Sequence, residues 1–409
     1  MGPELGSAVW LEADSIQAVF EAIEQDGDQA LVVGGAIRDT LLNKPVADVD
    51  IATTALPNVV SERALRQGLK VVPTGIDHGT VTVVSGGIGY EITTLRQDVE
   101  TFGRQATVRF GRDWMEDARR RDFTMNAIYC DRTGALHDPL GGLPDCLERR
   151  VRFIGNPNHR IQEDYLRILR FFRIHAAYGA GDLDASGLLA CVQERDGLRR
   201  LSAERIGMEM KRLVVAPLAA SVVTSMEING LMEIVTGGVS RLSDFEAFRR
   251  LAGEAPEIDE PALALVALSV GDEEDIIRLS DRLRLSGAER KRMQCALLSS
   301  SELAVRGARL SPVEGLRYLY RHGRQASVDG VLLNWARCLG SSEGTDYRKL
   351  LLLMRQNPVP VFPIRGRDLI AAGFDVGPEL GKKLSDLETE WFDGGFVHSS
   401  DELLRRRKP

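Results

Sequence analysis

The sequence predicts an α+β protein in which a small mixed sheet near the N-terminus precedes a long all-helical portion. Short β-branched runs occur only before about residue 150, whereas helical periodicity dominates from residue 161 to the end. The chain has 409 residues, which is too many for one compact core, so we expect two to four domains.

Composition narrows the class of protein. The sequence is 44% hydrophobic and 27% charged, which is typical of soluble proteins, and its net charge of −7 means that a nucleic acid would need local basic patches. We expect no signal peptide, no membrane span and a cytoplasmic location. The scattered cysteines argue against structural zinc and fit a reduced compartment: Cys130, Cys146, Cys191, Cys295 and Cys338.

The N-terminal portion contains alternating helix and strand signals, some of them separated by glycine turns. An amphipathic pattern predicts a helix, and two β-branched runs around "SGGIG" predict a hairpin. A polar, weakly periodic stretch predicts a mobile loop. In chain order, the predicted elements are helix Ser15–Gln25, strand Leu31–Val33, turn Gly34-Gly35, helix Ala36–Leu42, strand Val49–Ala52, strands Val81–Val84 and Tyr90–Thr94, and loop Gln97–Asp113.

Two aspartates one residue apart form a candidate metal site. In a strand, Asp48 and Asp50 would project from the same face, where two carboxylates repel unless a cation or proton lies between them. Mg²⁺ prefers one or two carboxylates together with water and phosphate oxygens. Glu91, in the strand "YEITTLR", is a third candidate carboxylate. The alternatives are a solvated strand end and an ordinary surface glutamate.

The glycine turn before the predicted helix is a candidate phosphate site. Glycines allow backbone amides to approach a ligand, and a helix N-terminus favours anions. Arg38 could reach a triphosphate with a forked contact. The alternative is a plain strand–helix turn in which Arg38 is solvated or paired with Asp39.

A basic run lies in "EDARRRDFTMNAIYCD", where three consecutive arginines at 119–121 precede Asp122 and Asn126. Because the run leads into an apolar segment, we expect at least one arginine to point inward. Asp122 would orient that arginine or cap a helix beginning at Phe123.

A second basic pattern repeats at every third position in "QEDYLRILRFFRIHAA". Asp164, Arg167, Arg170 and Arg173 would form one polar stripe on a helix. An amphipathic helix with an ion-pair ladder is the alternative. As an acceptor beside a donor, Asp164 and Arg167 match the base edge of cytosine or adenine, whereas uracil and guanine present the reverse pattern.

These motifs occur in one order: GGxxRD, DxD, RRDFTxNA, DPxGG and EDxxRxxRxxR. The chain thereby resembles the class II tRNA nucleotidyltransferase / poly(A) polymerase family of the polymerase-β superfamily. The match runs from Leu31 to about Ala177, with weaker similarity in Leu201–Leu213. The resemblance implies a nucleotidyltransferase head at 1–150, then a helical neck at 151–225, body at 226–335 and tail at 336–409.

The resemblance also implies an activity: template-independent, Mg²⁺-dependent addition of the 3′-terminal CCA to tRNA from CTP and ATP. Asp48 and Asp50 would bind the metal. The implied nucleotide-binding residues are Gly35, Arg38, Arg121, Asp122, Asn126, Asp164, Arg167, Arg170 and Arg173. The tRNA partner would be held at its 3′ end and acceptor/T-arm region, with Arg337 and the terminal "LLRRRKP" as candidate contacts. No protein partner is implied.

Several alternatives remain open. A poly(A) polymerase of this family typically carries a GRRF-like stretch after DxD, and "VVPTGIDHGTVTVV" has none. CC-only and A-only nucleotidyltransferases are the other relatives to distinguish. An HD-type phosphohydrolase could use His137-Asp138, and a non-catalytic RNA-binding scaffold would need neither the aspartates nor the base-reading pair.

Overall fold

The structure is a computed structural model that describes residues 5–6, 8–76, 79–102, 105–338 and 344–405, with side chains except at 74, 97–102 and 105–109. The chain divides into two compact units, Met1–Val235 and Thr236–Pro409. The first holds the described strands together with helices, and the second is helical. The predicted α+β class is confirmed.

A mixed sheet forms the centre of the first unit. Its strand order is β3-β4-β5-β2-β1-β8-β9. The strands of this sheet are β1 (Ala30–Val33), β2 (Asp50–Thr53), β3 (Lys70–Gly75), β4 (Thr80–Ser85), β5 (Ile88–Thr94), β8 (Tyr129–Cys130) and β9 (Leu136–His137). The β2·β5 pair is parallel, and its register sets Asp50 opposite Glu91. The predicted β4–β5 hairpin is confirmed, and Gly86 and Gly87 turn it with positive φ.

The helices of the first unit cover this sheet and extend beyond it. They are α1 (Val9–Glu12), α2 (Asp14–Ile23), α3 (Gly35–Leu41), α4 (Pro57–Arg66), α5 (Trp114–Arg119), α6 (Leu143–Leu147), α7 (Pro157–Glu163), α8 (Leu166–Tyr178), α9 (Ala185–Gln193), α10 (Ala203–Leu213) and α11 (Ala219–Ile228). Apolar side chains of α2, β1 and β4 are fully buried, among them Phe20, Val32 and Val83.

Two predictions in this unit are wrong. The stretch Gln97–Asp113 is not an irregular loop: β6 (Arg96–Phe102) and β7 (Gln105–Phe110) form an antiparallel pair that places Phe102 opposite Gln105. Residues 103 and 104 lie outside the described residues. Phe123 does not begin an α-helix, because only a 3-10 turn, Thr124–Asn126, precedes β8. In both places backbone pairing decides a structure that side-chain periodicity left ambiguous.

The second unit consists of helices, as the sequence predicted. Helix α12 (Leu231–Thr236) spans the boundary, and the following helices are α13 (Leu242–Arg249), α14 (Pro261–Ser269), α15 (Glu273–Leu283), α16 (Gly287–Arg306), α17 (Pro312–Arg337), α18 (Gly344–Gln356), α19 (Gly366–Ala371), α20 (Pro378–Asp393) and α21 (Ser400–Arg405). Ser286 and Ser311 begin α16 and α17 with capping boxes. None of the helices among the described residues has the length and apolarity that a membrane crossing requires.

Candidate active site

A polar cavity of about 590 Å³ opens in the first unit beside the N-terminal end of β2. The β1–α3 turn, the start of β2, the segment after α5, and helices α8 and α10 all contribute to its wall. The lining residues are Gly34, Gly35, Arg38, Asp50, Arg96, Arg120, Arg121, Asp122, Asn126, Asp164, Leu166, Arg167, Arg170, Arg173, Ile174 and Arg205. Residues as far apart in sequence as Gly34 and Arg205 thus meet around one space.

Of the three predicted carboxylates, Asp50 lines this cavity, whereas Asp48 and Glu91 are not among its lining residues. Strand β2 begins at Asp50, so Asp48 lies two residues before the strand and not within it. Although the Asp50 side chain remains accessible, its pKa is raised because surrounding protein removes part of its hydration and because the Glu91 and Asp48 carboxylates lie near it. Arg121 partly opposes this shift.

The crowding of negative charge at Asp50 is the feature that a cation would relieve. Glu91 faces Asp50 in the parallel register and is exposed. Among the described residues, no group of three or more histidine, cysteine, aspartate and glutamate side chains is arranged to hold a metal. A cation at this edge would therefore need oxygen ligands beyond the protein carboxylates, such as water and phosphate.

The glycine turn leads into a short helix whose arginine is already held in place. Gly34 has φ 79° and ψ −116°, a conformation that residues with a Cβ rarely adopt, and α3 begins at Gly35. Arg38 is buried and donates to the Asn126 Oδ1 at 2.7 Å and to Asp39. Its guanidinium also lies 3.7 Å from the centre of the Tyr178 ring. Arg38 is therefore paired with Asp39 and also lines the cavity, so the two alternatives considered from the sequence do not exclude each other.

The basic run after α5 turns two of its arginines inward. Arg120 and Arg121 both donate to the buried Asp117 carboxylate, whereas Arg119 is exposed and pairs with Glu116. The expectation that at least one arginine points inward is confirmed. Arg121 also packs over the Tyr129 ring, at 5.4 Å from its centre.

Asp122 is a junction of the site and does not cap an α-helix. Its Oδ1 accepts from the Phe123 backbone N–H at 2.8 Å and from the Asn126 side-chain amide at 3.1 Å. Its Oδ2 accepts from the Arg170 Nε at 2.8 Å. Burial alone would raise the pKa of Asp122, but these donors, Arg170 above all, hold it well below its usual range. Arg173 pairs instead with Glu209 of α10.

The prediction that Asp164 lies on the same helix as Arg167, Arg170 and Arg173 is wrong. Helix α7 ends at Glu163, and Asp164 has extended backbone (φ −154°, ψ 105°) before α8 begins. The reason is local: the Asp164 Oδ1 accepts from the Leu166 backbone N–H at 3.1 Å, so its side chain starts the second helix. Its Oδ2 accepts from Arg205 at 2.6 Å. Arg167 donates to Glu163 and to backbone carbonyls.

Several residues that the sequence reasoning missed hold this constellation together. Asp117, Tyr178, Arg205 and Glu209 each contact a predicted nucleotide-binding residue. Arg205 and Glu209 lie in "LSAERIGMEM", where the weaker resemblance was the available signal. Asp117 stands three and four residues before the two inward arginines, a spacing that predicts a shared helix face. Tyr178 gave no sequence signal.

Among the described residues, eight arginines but only three aspartates line the cavity, so its wall suits a ligand with several negative charges. The alternative HD site finds no support in this part of the chain. The Asp138 carboxylate accepts from the backbone N–H groups of Gly142 and Leu143 and thereby stabilises a turn. His137 lies in the short edge strand β9.

The chain is similar to known proteins over nearly its whole length. The family model described as "Poly A polymerase head domain" matches residues 30–152. "CCA tRNA nucleotidyltransferase 1, mitochondrial" of Mus musculus is 30% identical over 96% of this chain and 90% of its own length. "CCA-adding enzyme" of Levilactobacillus brevis is 30% identical over 96% of this chain and 97% of its own.

Solved structures give the same result for the fold. The crystal structure of the Bacillus stearothermophilus CCA-adding enzyme in complex with CTP superimposes with a TM-score of 0.76 at 29% identity, covering 96% of each chain. The Thermotoga maritima CCA-adding enzyme, at 19% identity and a TM-score of 0.70, shares the fold. The cavity, the ordered motifs and these full-length similarities together show that the chain belongs to the family of CCA-adding enzymes, the CCA tRNA nucleotidyltransferases.

Proposed function

We propose that this protein adds the 3′-terminal CCA to tRNA in the cytoplasm, using CTP and ATP in a Mg²⁺-dependent nucleotidyl transfer that releases pyrophosphate. The observation that carries the proposal is the single cavity in which Asp50, the Gly34–Gly35 turn, the inward arginines and the pair Asp164 and Arg167 meet. A nucleoside triphosphate needs these three kinds of contact: a carboxylate that binds the metal ion, hydrogen-bond donors to the phosphates, and side chains that recognise the base.

The reaction is a displacement at phosphorus. The terminal ribose hydroxyl of tRNA attacks the α-phosphate of the nucleotide, the bond to the β-phosphate breaks, and the hydroxyl proton is lost. Positioning and charge stabilisation supply most of the catalysis in such transfers. In the cavity these tasks fall to Arg38 and Arg121, which would bind the phosphates, and to the amide of Gly35 at the start of α3.

Asp48 and Asp50 would hold the divalent ion, with Glu91 beside them in the sheet. The raised pKa of Asp50 supports this assignment, because clustered carboxylates fit a site that a cation completes. The family uses divalent metals generally, and Mg²⁺ suits a site with few carboxylates and many phosphate oxygens. When bound, the ion would lower the pKa of the attacking hydroxyl and neutralise the triphosphate.

Base selection would lie with Asp164 and Arg167. Asp164 offers an acceptor and Arg167 a donor at the neck side of the cavity, which is the complement of the cytosine and adenine edges. Asp164 is paired with Arg205, and Arg167 is paired with Glu163. When a base enters, these ion pairs would either hold the two side chains in position or be replaced by hydrogen bonds to the base. Arg170, Arg173 and the Asp122–Asn126 contact would support the pocket.

The remaining assignments extend this proposal. The division into head, neck, body and tail at 150, 225 and 335 is proposed on the family resemblance, and tRNA would be bound at its 3′ end and acceptor/T-arm region by basic groups of the helical part. Arg337 is exposed and lies 3.4 Å from Asp244 at the closest N–O approach, so it would need to leave that partner to bind a phosphate. Residues 406–409 of the basic terminus lie outside the described residues.

The test is nucleotide incorporation by the full chain with a tRNA lacking its 3′ end, labelled CTP or ATP, and Mg²⁺. Asp48→Ala and Asp50→Ala should each lower incorporation by about 10³-fold or more, while circular dichroism and tRNA binding stay normal. Asp182→Ala, an exposed carboxylate outside the cavity, is the control and should behave as the unchanged protein. Full activity of the Asp50 variant would refute the metal assignment, and tRNA binding without any incorporation would favour the scaffold.

A further inference from the structure

A carboxylate behind the cavity wall holds two of its arginines. Asp117 lies on α5 and is fully buried, and it is not among the residues that line the cavity. Its Oδ1 accepts from the Arg120 Nε at 2.7 Å, and its Oδ2 accepts from the Arg121 guanidinium at 3.0 Å. The Tyr129 hydroxyl donates to the same Oδ2 at 2.8 Å.

The cluster of Asp117, Arg120 and Arg121 carries a net positive charge on the side that faces the cavity. Burial alone would raise the pKa of Asp117, but Arg121 and Arg120 lower it, so the carboxyl stays ionised at neutral pH. Each arginine keeps 19% of its side chain exposed, whereas the carboxylate keeps none. One buried negative charge therefore anchors two positive groups, and a net positive charge remains at the surface of the cavity.

The aromatic rings of Tyr129 and Trp114 hold Asp117 and Arg121 in position. Tyr129 is fully buried, donates to Asp117 and lies under the Arg121 guanidinium at 5.4 Å. The Trp114 ring meets the Tyr129 ring edge-on at 5.5 Å. A planar guanidinium that is bonded at its edge and stacked on its face loses little further freedom when it binds a phosphate.

We propose that Asp117 is a positioning residue for the triphosphate: it pre-sets Arg120 and Arg121 so that their remaining N–H groups bind phosphate oxygens of the incoming nucleotide. This inference rests on the proposed function, because it names the part of the substrate that these arginines hold. It also separates two tasks. The Asp117 cluster would act on the phosphates common to CTP and ATP, whereas Asp164 and Arg167 would act on the base.

The experiment measures binding of CTP, ATP and inorganic tripolyphosphate to the full-length protein, together with steady-state kinetics of transfer. Asp117→Asn should weaken the binding of all three by a similar factor, about tenfold, which is the lower end of the loss seen when a residue that supports a metal ligand is replaced. The KM for both nucleotides should rise, while the ratio of CTP to UTP use stays unchanged.

Asp145→Asn is the matched control. Asp145 is a buried carboxylate of the same unit that accepts from Thr124 and pairs with Arg152, and it does not line the cavity. Its substitution should lower thermal stability and leave tripolyphosphate affinity as in the unchanged protein. A purely structural role for Asp117 would give the same pattern, so equal behaviour of the two variants would overturn the proposal.

Tyr129→Phe decides the question if Asp117→Asn does not fold. It keeps the carboxylate and both arginines but removes the hydroxyl that donates to Asp117. A smaller loss of tripolyphosphate affinity, again without a change in base preference, is expected, and unchanged affinity would contradict the proposal. If the unchanged protein neither binds nor transfers nucleotide, the proposed function itself fails, which is a different outcome.

Discussion

Asp122 joins the two halves of the nucleotide pocket through one buried carboxylate. It accepts from Arg170 on α8 and from Asn126, which in turn accepts from Arg38. The sequence indicated that these residues belong to the site, because they stand in known motifs. It could not predict their partners, since Arg170 and Asp122 are 48 residues apart and only the packing of α8 brings them together.

The pKa of Asp122 leads to a prediction about acid stability. Its folded pKa lies below the ordinary aspartate value of about 3.8, so the unfolded chain takes up this proton first and folding loses stability as the pH falls below about 4. Asp122→Asn should lower the free energy of unfolding at pH 7 by about 2 kcal/mol and flatten its fall between pH 5 and 3. Urea unfolding at pH 7, 5 and 3 measures the free energy of unfolding. A fall between pH 5 and 3 as steep in the variant as in the unchanged protein would contradict the prediction.

Asp164 leads to a prediction about specificity. An asparagine there can present an N–H where the carboxylate only accepts, so Asp164→Asn should relax the preference for CTP over UTP by about 10- to 100-fold. Single-nucleotide incorporation with each triphosphate measures the ratio. Unchanged selectivity in a folded variant would refute the assignment of the base reader. Arg205 donates to the same carboxylate, and the sequence did not predict this contact.

At the scale of elements, the glycine turn between β1 and α3 sets how closely backbone reaches the cavity. The sequence predicted this strand, turn and helix within one residue at each end. It failed at Asp164, where a side-chain hydrogen bond divides one apparent helix into two, and at 97–113, where β6 and β7 pair although neither alternates clearly. Periodicity reports burial, whereas these two features depend on local hydrogen bonding and on strand pairing.

Gly34→Ala tests the role of that turn. A Cβ at φ 79° and ψ −116° is strained, so unfolding should become easier by about 1–3 kcal/mol and CTP binding should weaken. Gly68→Ala is the matched control, because Gly68 also has positive φ (76°) and ends α4 away from the cavity. It should lose stability with unchanged CTP affinity, measured by calorimetry, and equal losses of affinity would contradict a specific role for the turn.

At the scale of the whole molecule, the division into two units predicts a separation of tasks. Every residue that lines the cavity lies between 34 and 205, within the first unit. A fragment of residues 1–235 should therefore bind CTP with the affinity of the full chain but transfer nucleotide to tRNA poorly, because the helical unit is proposed to bind the tRNA. Fluorescence titration and incorporation assays measure the two, and loss of CTP binding in the folded fragment would contradict the prediction.

The central claim is tested most directly by sequencing the product formed on one tRNA that lacks its 3′ end, incubated with the full-length protein, CTP, ATP and Mg²⁺. The account predicts that the sequence CCA is added and that addition then stops. A long run of adenosines would show a poly(A) polymerase, addition of only CC or only A would show a partial activity, and an unextended tRNA would contradict the account altogether.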